Sequence, residues 1–338
     1  MHHTVIGMDI AKQVFQLHRV DPQSQQIERI KLKRAEVLPY FAQHPPALIA
    51  MEGCGGAHYW GRELRKLGHT VRLLPAQAVR PFVLRNKTDA ADARAIWAAA
   101  QQPDIKAVAV KTEHQQSVLA LHRVRSQLMK VRIMHTNALR GLLMEFGPTL
   151  PEGYGALQKV LPTCLANLDG QLPDMLLQTL REQWARVQGL DREIVLIELR
   201  LKQALSESPA CKAIAEIPGI GLLSATAAVA TMGDPGSFRS GREFAAWLGL
   251  VPRQSGTGGR IRQLGISKRG DSYLRTLLIH GARAVVARRQ QSPWINGLLA
   301  RRPYGVVVAA VANKLARILW SVLATGRRYE PTALSAVV

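Results

Sequence analysis

The first hundred residues switch between strand-like and helix-like hydrophobic periods in an order that few folds accept. Residues 4–33 alternate in the two-residue manner of strands: TVIGMDI, then VFQLHRV, then the polar turn DPQSQQ, then IERIKLK. The first of these reads as fully buried and the next two as half exposed. EVLPYFAQH predicts a short helix, ALIAME a buried strand, HYWGRELRKLG a helix closed by Gly68, and TVRLLP another strand. Thr88 is placed as an N-cap for the alanine-rich helix DAADARAIWAAA. The order β-β-β-α-β-α-β-α predicts an α/β domain over roughly the first third of the chain.

Four acids punctuate that third. Asp9 and Glu52 each follow a short aliphatic run, and Asp89 and Asp92 are three apart, so a helix places them on one face. Carboxylates on rigid elements suit hard divalent cations such as Mg²⁺, which prefer oxygen ligands. Phosphodiester chemistry uses such ions to neutralise the phosphate and polarise the attacking or leaving oxygen, commonly as a pair ~3.5–4 Å apart. Arg85, Lys87 and Arg94 beside the acid pair suit phosphate contacts and could equally balance the carboxylates.

The charge points to the same class of substrate. The 338 residues carry a net charge of +21, and residues 236–338 hold 17 Lys/Arg against three Asp/Glu. Residues 112–235 are neutral, so basic ends flank a neutral spacer, as expected of two surfaces facing a phosphate backbone. Aromatics are only 5%, which argues against a protein that grips bases mainly by stacking. Three widely spaced cysteines, Cys54, Cys164 and Cys211, support neither a disulfide framework nor a zinc site. The amino terminus lacks a signal-peptide layout, and no run reaches ~18 apolar residues. The expected location is a reducing cytoplasm, associated with the nucleoid, with no membrane partner.

From Glu113 to Phe146, and again from Met175 to Ser206, apolar residues recur at three- and four-residue spacing. Two long helices joined by a turn-rich link predict a helical or coiled-coil arm over 112–207, either for dimerisation or packed on its own domain. A mainly α C-terminal domain over 208–338 follows. There AIAEIPGIGLLSATAAV has the signature of a helix-hairpin-helix, whose Gly219 and Gly221 let a backbone approach and whose second helix can hold a phosphate. The loop Pro252-Arg253-Gln254-Ser255-Gly256-Thr257-Gly258-Gly259-Arg260 sets hydroxyls among glycines and arginines. That suits a nucleophile attacking phosphorus with guanidinium support, or a phosphate-gripping loop with no covalent role. Arg262, Lys268, Arg269 and Arg275 add cations downstream.

The strand and helix order of residues 1–111 is that of the RNase H-like (RuvC-like) fold. GMDIAK, MEGCGG, NKTDAADAR, IPGIG, LGLVPRQSGTGG and GISKRGDSYLRTLLIHGA together resemble the landmarks of the insertion-sequence "one-ten" transposases, including their "eleven-eleven" group and relatives of the Piv DNA invertase. The resemblance runs nearly end to end. It implies a RuvC-like DEDD domain in which Asp9, Glu52, Asp89 and Asp92 bind Mg²⁺. It also implies a transposase domain whose serine attacks DNA and forms a covalent phosphoserine link. Implied partners are donor and target DNA, a bridge- or seeker-type guide RNA, and further copies of the chain in a dimer or tetramer. In the family pattern, Ser-Gly follows Pro-Arg about three residues on, whereas here Ser255-Gly256 directly follows Gln254. Ser255 is the expected nucleophile, and ungapped counting reaches Thr257 as the alternative. Two other readings stand beside this one: a metal-dependent junction nuclease without a covalent intermediate, and a non-catalytic nucleic-acid binder.

Overall fold

A computed structural model describes residues 4–21, 23–83, 88–288 and 292–331. It divides into two compact units, Met1–Gln115 with Met232–Ser237, and Gln116–Thr231 with Phe238–Val338.

The first unit is a five-stranded sheet of order β3-β2-β1-β4-β5. Its strands are β1 (Val5–Ile10), β2 (Val14–Val20), β3 (Ile27–Lys33), β4 (Leu48–Glu52) and β5 (Thr70–Leu74), with helices α1 (Val37–Ala42), α2 (Ala57–Lys66), α3 (Ala76–Val79) and α4 (Asp89–Ala100). β1, β2 and β3 pair antiparallel, while β1, β4 and β5 run parallel. Alternation along each strand divides the side chains between two layers. Ile6, Met8, Ile49 and Met51 enter one core with Phe15, Phe41, Trp60 and Leu64 of the α1–α2 side. The opposite face uses small residues: Ala50 packs with Ala95, Ile96 and Ala99 of α4. Thr88 caps α4 as expected, its hydroxyl accepting from Ala91 N at 3.2 Å. Arg72 of β5 secures the other end of α4 by donating to the carbonyls of Ala100, Gln102 and Ile105.

In the second unit the two long helices are α5 (Glu113–Met144) and α7 (Asp174–Glu207). Between them, where a turn-rich link is expected, lies the helix α6 (Tyr154–Asn167). Pro162 sits inside α6, at a cost of about 3 kcal/mol. The offset is its leucine row: Leu157, Leu161 and Leu165 are buried against Leu139, Leu143, Leu177, Leu180 and Trp184, and each such leucine contributes roughly 1.5–3 kcal/mol. Salt bridges Arg125–Glu198 and Arg132–Asp191, both 2.6 Å, tie α5 to α7.

The rest of this unit comprises α8 (Pro209–Ala215), α9 (Leu222–Met232), α10 (Gly241–Trp247), a hairpin of β6 (Pro252–Thr257) and β7 (Arg260–Ile266), α11 (Ser272–Ala287), α12 (Pro293–Leu299) and α13 (Tyr304–Thr325). α13 is long and apolar enough to cross a membrane by length and composition. It is the core helix here, burying Val307, Val311, Leu315 and Leu319 among its neighbours α10, α11 and α12.

His122 of α5, 1% exposed, joins three helices of this unit. Its Nε2 lies 3.0 Å from Thr226 Oγ1 of α9 and its Nδ1 3.0 Å from the Tyr273 hydroxyl of α11. Thr226 spends its own proton on Leu222 O at 2.8 Å, so Nε2–H donates to it and Nδ1 accepts from Tyr273. This geometry holds the neutral ring, and burial followed by Arg125 pushes its pKa down to about 4. A histidine depressed in the fold contributes stability that is lost as pH falls from about 6.5 toward 4, up to ~3 kcal/mol. His122→Gln is expected to remove that share of the acid sensitivity, read as a smaller drop in denaturation midpoint between pH 7 and pH 4.5 than in the wild-type chain.

Candidate active site

The first centre follows from how close α4 comes to β1. A Cβ on Gly7 would stand 2.6 Å from Trp97 N and 2.7 Å from Trp97 Cβ, so only glycine admits the helix there. Gly7 and Asp9 lie on the same face of β1. Four residues of α4, from Ala93 back to Asp89, cover about 6 Å, and the two steps from Gly7 to Asp9 cover nearly the same. The helix therefore delivers its first turn, with Asp89 and Asp92, to the end of β1. The parallel register pairs Met8 with Met51, and one further step sets Asp9 beside Glu52 on the α4 face. Gly7 is not among the expected site residues; its signal in the sequence is a glycine inside a strand beside a helix made largely of alanine.

The proximity of the four acids shows in Asp9, whose pKa rises to about 6 through burial, then Asp92, Asp89 and Glu52. Among the described residues, no three carboxylate, imidazole or thiol groups close on a common point in the manner of a finished metal cage. The donor set is all carboxylate, and its mutual repulsion fits a hard divalent cation. Arg85 and Lys87, expected on phosphate, lie outside the described residues.

The second centre is a β-hairpin, where the sequence reading expects a loop. Gly258 and Gly259 turn it, with φ of 56° and 79°, as a two-residue hairpin turn requires. Ser255 pairs with Arg262 and Thr257 with Arg260. In a pleated ladder these four share a face, so each hydroxyl stands across from a guanidinium. Ser255, in mid-strand, has Arg262 opposite and Arg260 on the diagonal; Thr257 borders the turn. Gly256 is needed on the other face, since a Cβ there would meet Arg260 O at 2.5 Å. Every residue of β6, Arg253 included, is exposed.

The remaining expected contacts divide. Arg275, given to nucleic acid by the sequence reading, is instead buried, its Nη1 donating to Leu248 O at 2.9 Å and Arg269 O at 2.7 Å. It fastens α11 to the base of the hairpin, because two backbone carbonyls need a donor there. Gly219, with φ of 87°, turns between α8 and α9; its Cβ would stand 2.8 Å from Gly281 O of α11. That close approach is internal packing of the turn on α11. Gly221 has open space around a would-be Cβ. Lys268 and Arg269 are exposed, on a loop whose backbone lies against Gly249.

Asp9 gives a signed stability prediction. A carboxyl raised in the fold from 3.8 to about 6 loses stability as pH climbs through that interval. Asp9→Asn is therefore expected to be more stable than wild type at pH 7 without divalent cations, by about 1–2 kcal/mol after allowance for solvent screening. The difference should vanish at pH 4, as measured by chemical denaturation at both values.

The sequence profile of the IS110 DEDD transposase domain matches residues 6–148, and that of the IS116/IS110/IS902 transposase family matches residues 211–297. A family 20 transposase of Pseudomonas aeruginosa is 48% identical over 98% of this chain and 100% of its own length. The transposase of insertion sequence element IS1328 from Yersinia enterocolitica is 38% identical over 96% of this chain and 97% of its own. That of IS1111A from Coxiella burnetii is 37% identical over 96% and 91%. With such similarity sustained along nearly its whole length, and with acids and hairpin lying inside the matched segments, the chain belongs to the IS116/IS110/IS902 family of insertion-sequence transposases.

Proposed function

We propose that this transposase cuts and rejoins DNA through a covalent phosphoserine formed by Ser255, with Asp9, Glu52, Asp89 and Asp92 holding Mg²⁺. The observation that carries the reading is the pairing of Ser255 with Arg262 and of Thr257 with Arg260 on one exposed hairpin face. A two-stranded hairpin is marginal alone in water, and three arginines among its residues suit it to being covered by a phosphate backbone. The Ser255 oxygen attacks phosphorus, a sugar oxygen leaves with the electron pair of the broken bond, and the serine proton passes to solvent or a carboxylate. Arg260 and Arg262 stabilise the charge gathering on the phosphoryl oxygens. Because a phosphodiester replaces a phosphodiester, an incoming sugar hydroxyl can reverse the step and release the serine. Bound at the four acids, Mg²⁺ would supply charge neutralisation and polarisation of oxygen.

Guide-RNA pairing with donor and target DNA is part of the same proposal, supported by the family resemblance and the basic C-terminal third. Assembly as a dimer or tetramer is supported by apolar residues left on the long helices: Ile133 and Met134 on α5, and Val195, Leu196 and Leu199 on α7, each more than half exposed.

The test uses full-length protein, element-end DNA and the RNA that copurifies with it, quenched under denaturing conditions. A protein–DNA adduct is expected in wild type and Thr257→Ala, and none in Ser255→Ala. An adduct lost in Thr257→Ala and kept in Ser255→Ala would move the nucleophile; hydrolysed ends with no adduct in any variant would establish the nuclease reading. Millimolar Mg²⁺ should raise the melting temperature of wild type and leave Asp9→Asn unmoved.

Salt dependence checks the hairpin separately. Each phosphate contact contributes a log–log slope of about −0.9 on duplex DNA. Arg262→Gln should flatten the measured slope by roughly one contact; an unchanged slope would remove Arg262 from the interface.

A further inference from the structure

Beside the base of the hairpin, within the second unit, is a cavity of about 870 Å³, within the usual ~300–1,000 Å³ of small-ligand sites. Its walls include Pro252 of β6, Leu264 to Ile266 of β7, the rings of Trp294 and Tyr304, and the cations Arg242, Arg283, Lys314 and Arg317. No Asp or Glu is among its described lining residues. Lys314 is only 4% exposed, and its Nζ stands 4.4 Å from the centre of the Trp294 ring.

The cations weigh on one another. Burial and then Arg317 lower the pKa of Lys314, and burial and then Arg242 lower that of Arg317. Arg242 and Arg283 are exposed and Arg317 is half-buried, so the hollow sets guanidinium groups within reach of solvent beside a largely apolar, aromatic wall. An occupant with an anionic edge and a flat apolar body would satisfy both the guanidinium groups and the aromatic wall, and a nucleotide has both. Position narrows the identity further. Ser255 is three residues from Pro252 along β6, about 10 Å at the rise of a strand. A nucleotide in the cavity would therefore be one or two positions from a phosphodiester held at Ser255. The backbone joins the two places: Asn313 of α13, on the cavity wall, donates to Leu250 O at 3.3 Å just before β6.

We propose that this cavity receives an unstacked DNA nucleotide adjacent to the scissile phosphodiester, its phosphate on Arg242 and Arg317 and its base against Trp294 and Tyr304. The proposal rests on the reading of the hairpin as the strand-transfer site. Extruding a base costs least where it is unpaired, so the pocket selects a duplex already opened at that point. It also locks the strand's register relative to Ser255.

The test compares a DNA duplex carrying one unpaired 2-aminopurine with the same duplex fully paired, using full-length protein and reading anisotropy and 2-aminopurine emission. Wild type is expected to favour the unpaired site on the order of tenfold, the worth of one stacked base, with the emission quenched on binding. Ala310→Phe, which sets a ring into the cavity and leaves its charges in place, should erase the preference while paired-duplex affinity stays within about twofold. Tyr304→Ala, at an exposed position, should reduce both preference and quenching. Equal affinity of wild type for the two duplexes overturns the proposal, as does a preference unchanged in both Ala310→Phe and Tyr304→Ala. A preference for an unpaired ribonucleotide in RNA over the DNA bulge overturns it in favour of guide binding. The strand-transfer reading fails differently: the DNA preference would persist while no Ser255-dependent adduct forms.

Discussion

Contact between two backbones, α4 on β1 at Gly7, is what the acidic centre depends on. Carboxylates repel, and nothing in their own chemistry would gather four of them. They are held near one another because an alanine-rich helix can lie almost on the sheet where the strand has no side chain, and because the strand's next residue on that face is Asp9. The cost is visible in the elevated pKa of Asp9. Apolar burial elsewhere in the unit must offset it, which the Phe15–Phe41–Trp60 layer on the other side of the sheet is placed to do.

The second unit solves a different problem with the same device. The hairpin is exposed along all of β6 and all of β7 but its last residue, Ile266, so its root must be firm. Gly249 and Gly270 let the flanking segments touch, Asn313 bonds Leu250 O, and the buried Arg275 bonds Leu248 and Arg269 carbonyls. A rigid root with a bare tip lets exposed side chains such as Ser255 be positioned without being buried.

Much of this was legible in the residues because period and punctuation coincided. All five strands of the first unit, the Thr88 cap and both long helices lie where two- and 3.6-residue patterns put them. The acids could be grouped because their elements were readable, although how near they stand depended on Gly7, whose role is a matter of packing distance. α6 was hidden by Pro162, since local propensity opposes it and only distant leucines favour it. The hairpin was hidden because glycine and arginine carry weak strand preference; its signal was the Gly258-Gly259 pair between short runs. Arg275 was misjudged because a basic residue on an amphipathic helix looks solvent-facing until the carbonyls beneath it are known.

An isolated two-stranded ribbon has two open edges, and each offers unpaired amides and carbonyls to any extended chain nearby. On β6 and β7 that hazard is countered by Arg253, Arg260 and Arg262, which would bring cation against cation were two such ribbons to meet side by side. The guard holds only while the arginines remain unneutralised. Once a polyanion screens them, the repulsion between ribbons disappears, so under the proposed function the charges meant for nucleic acid would also keep free copies of the protein from self-pairing.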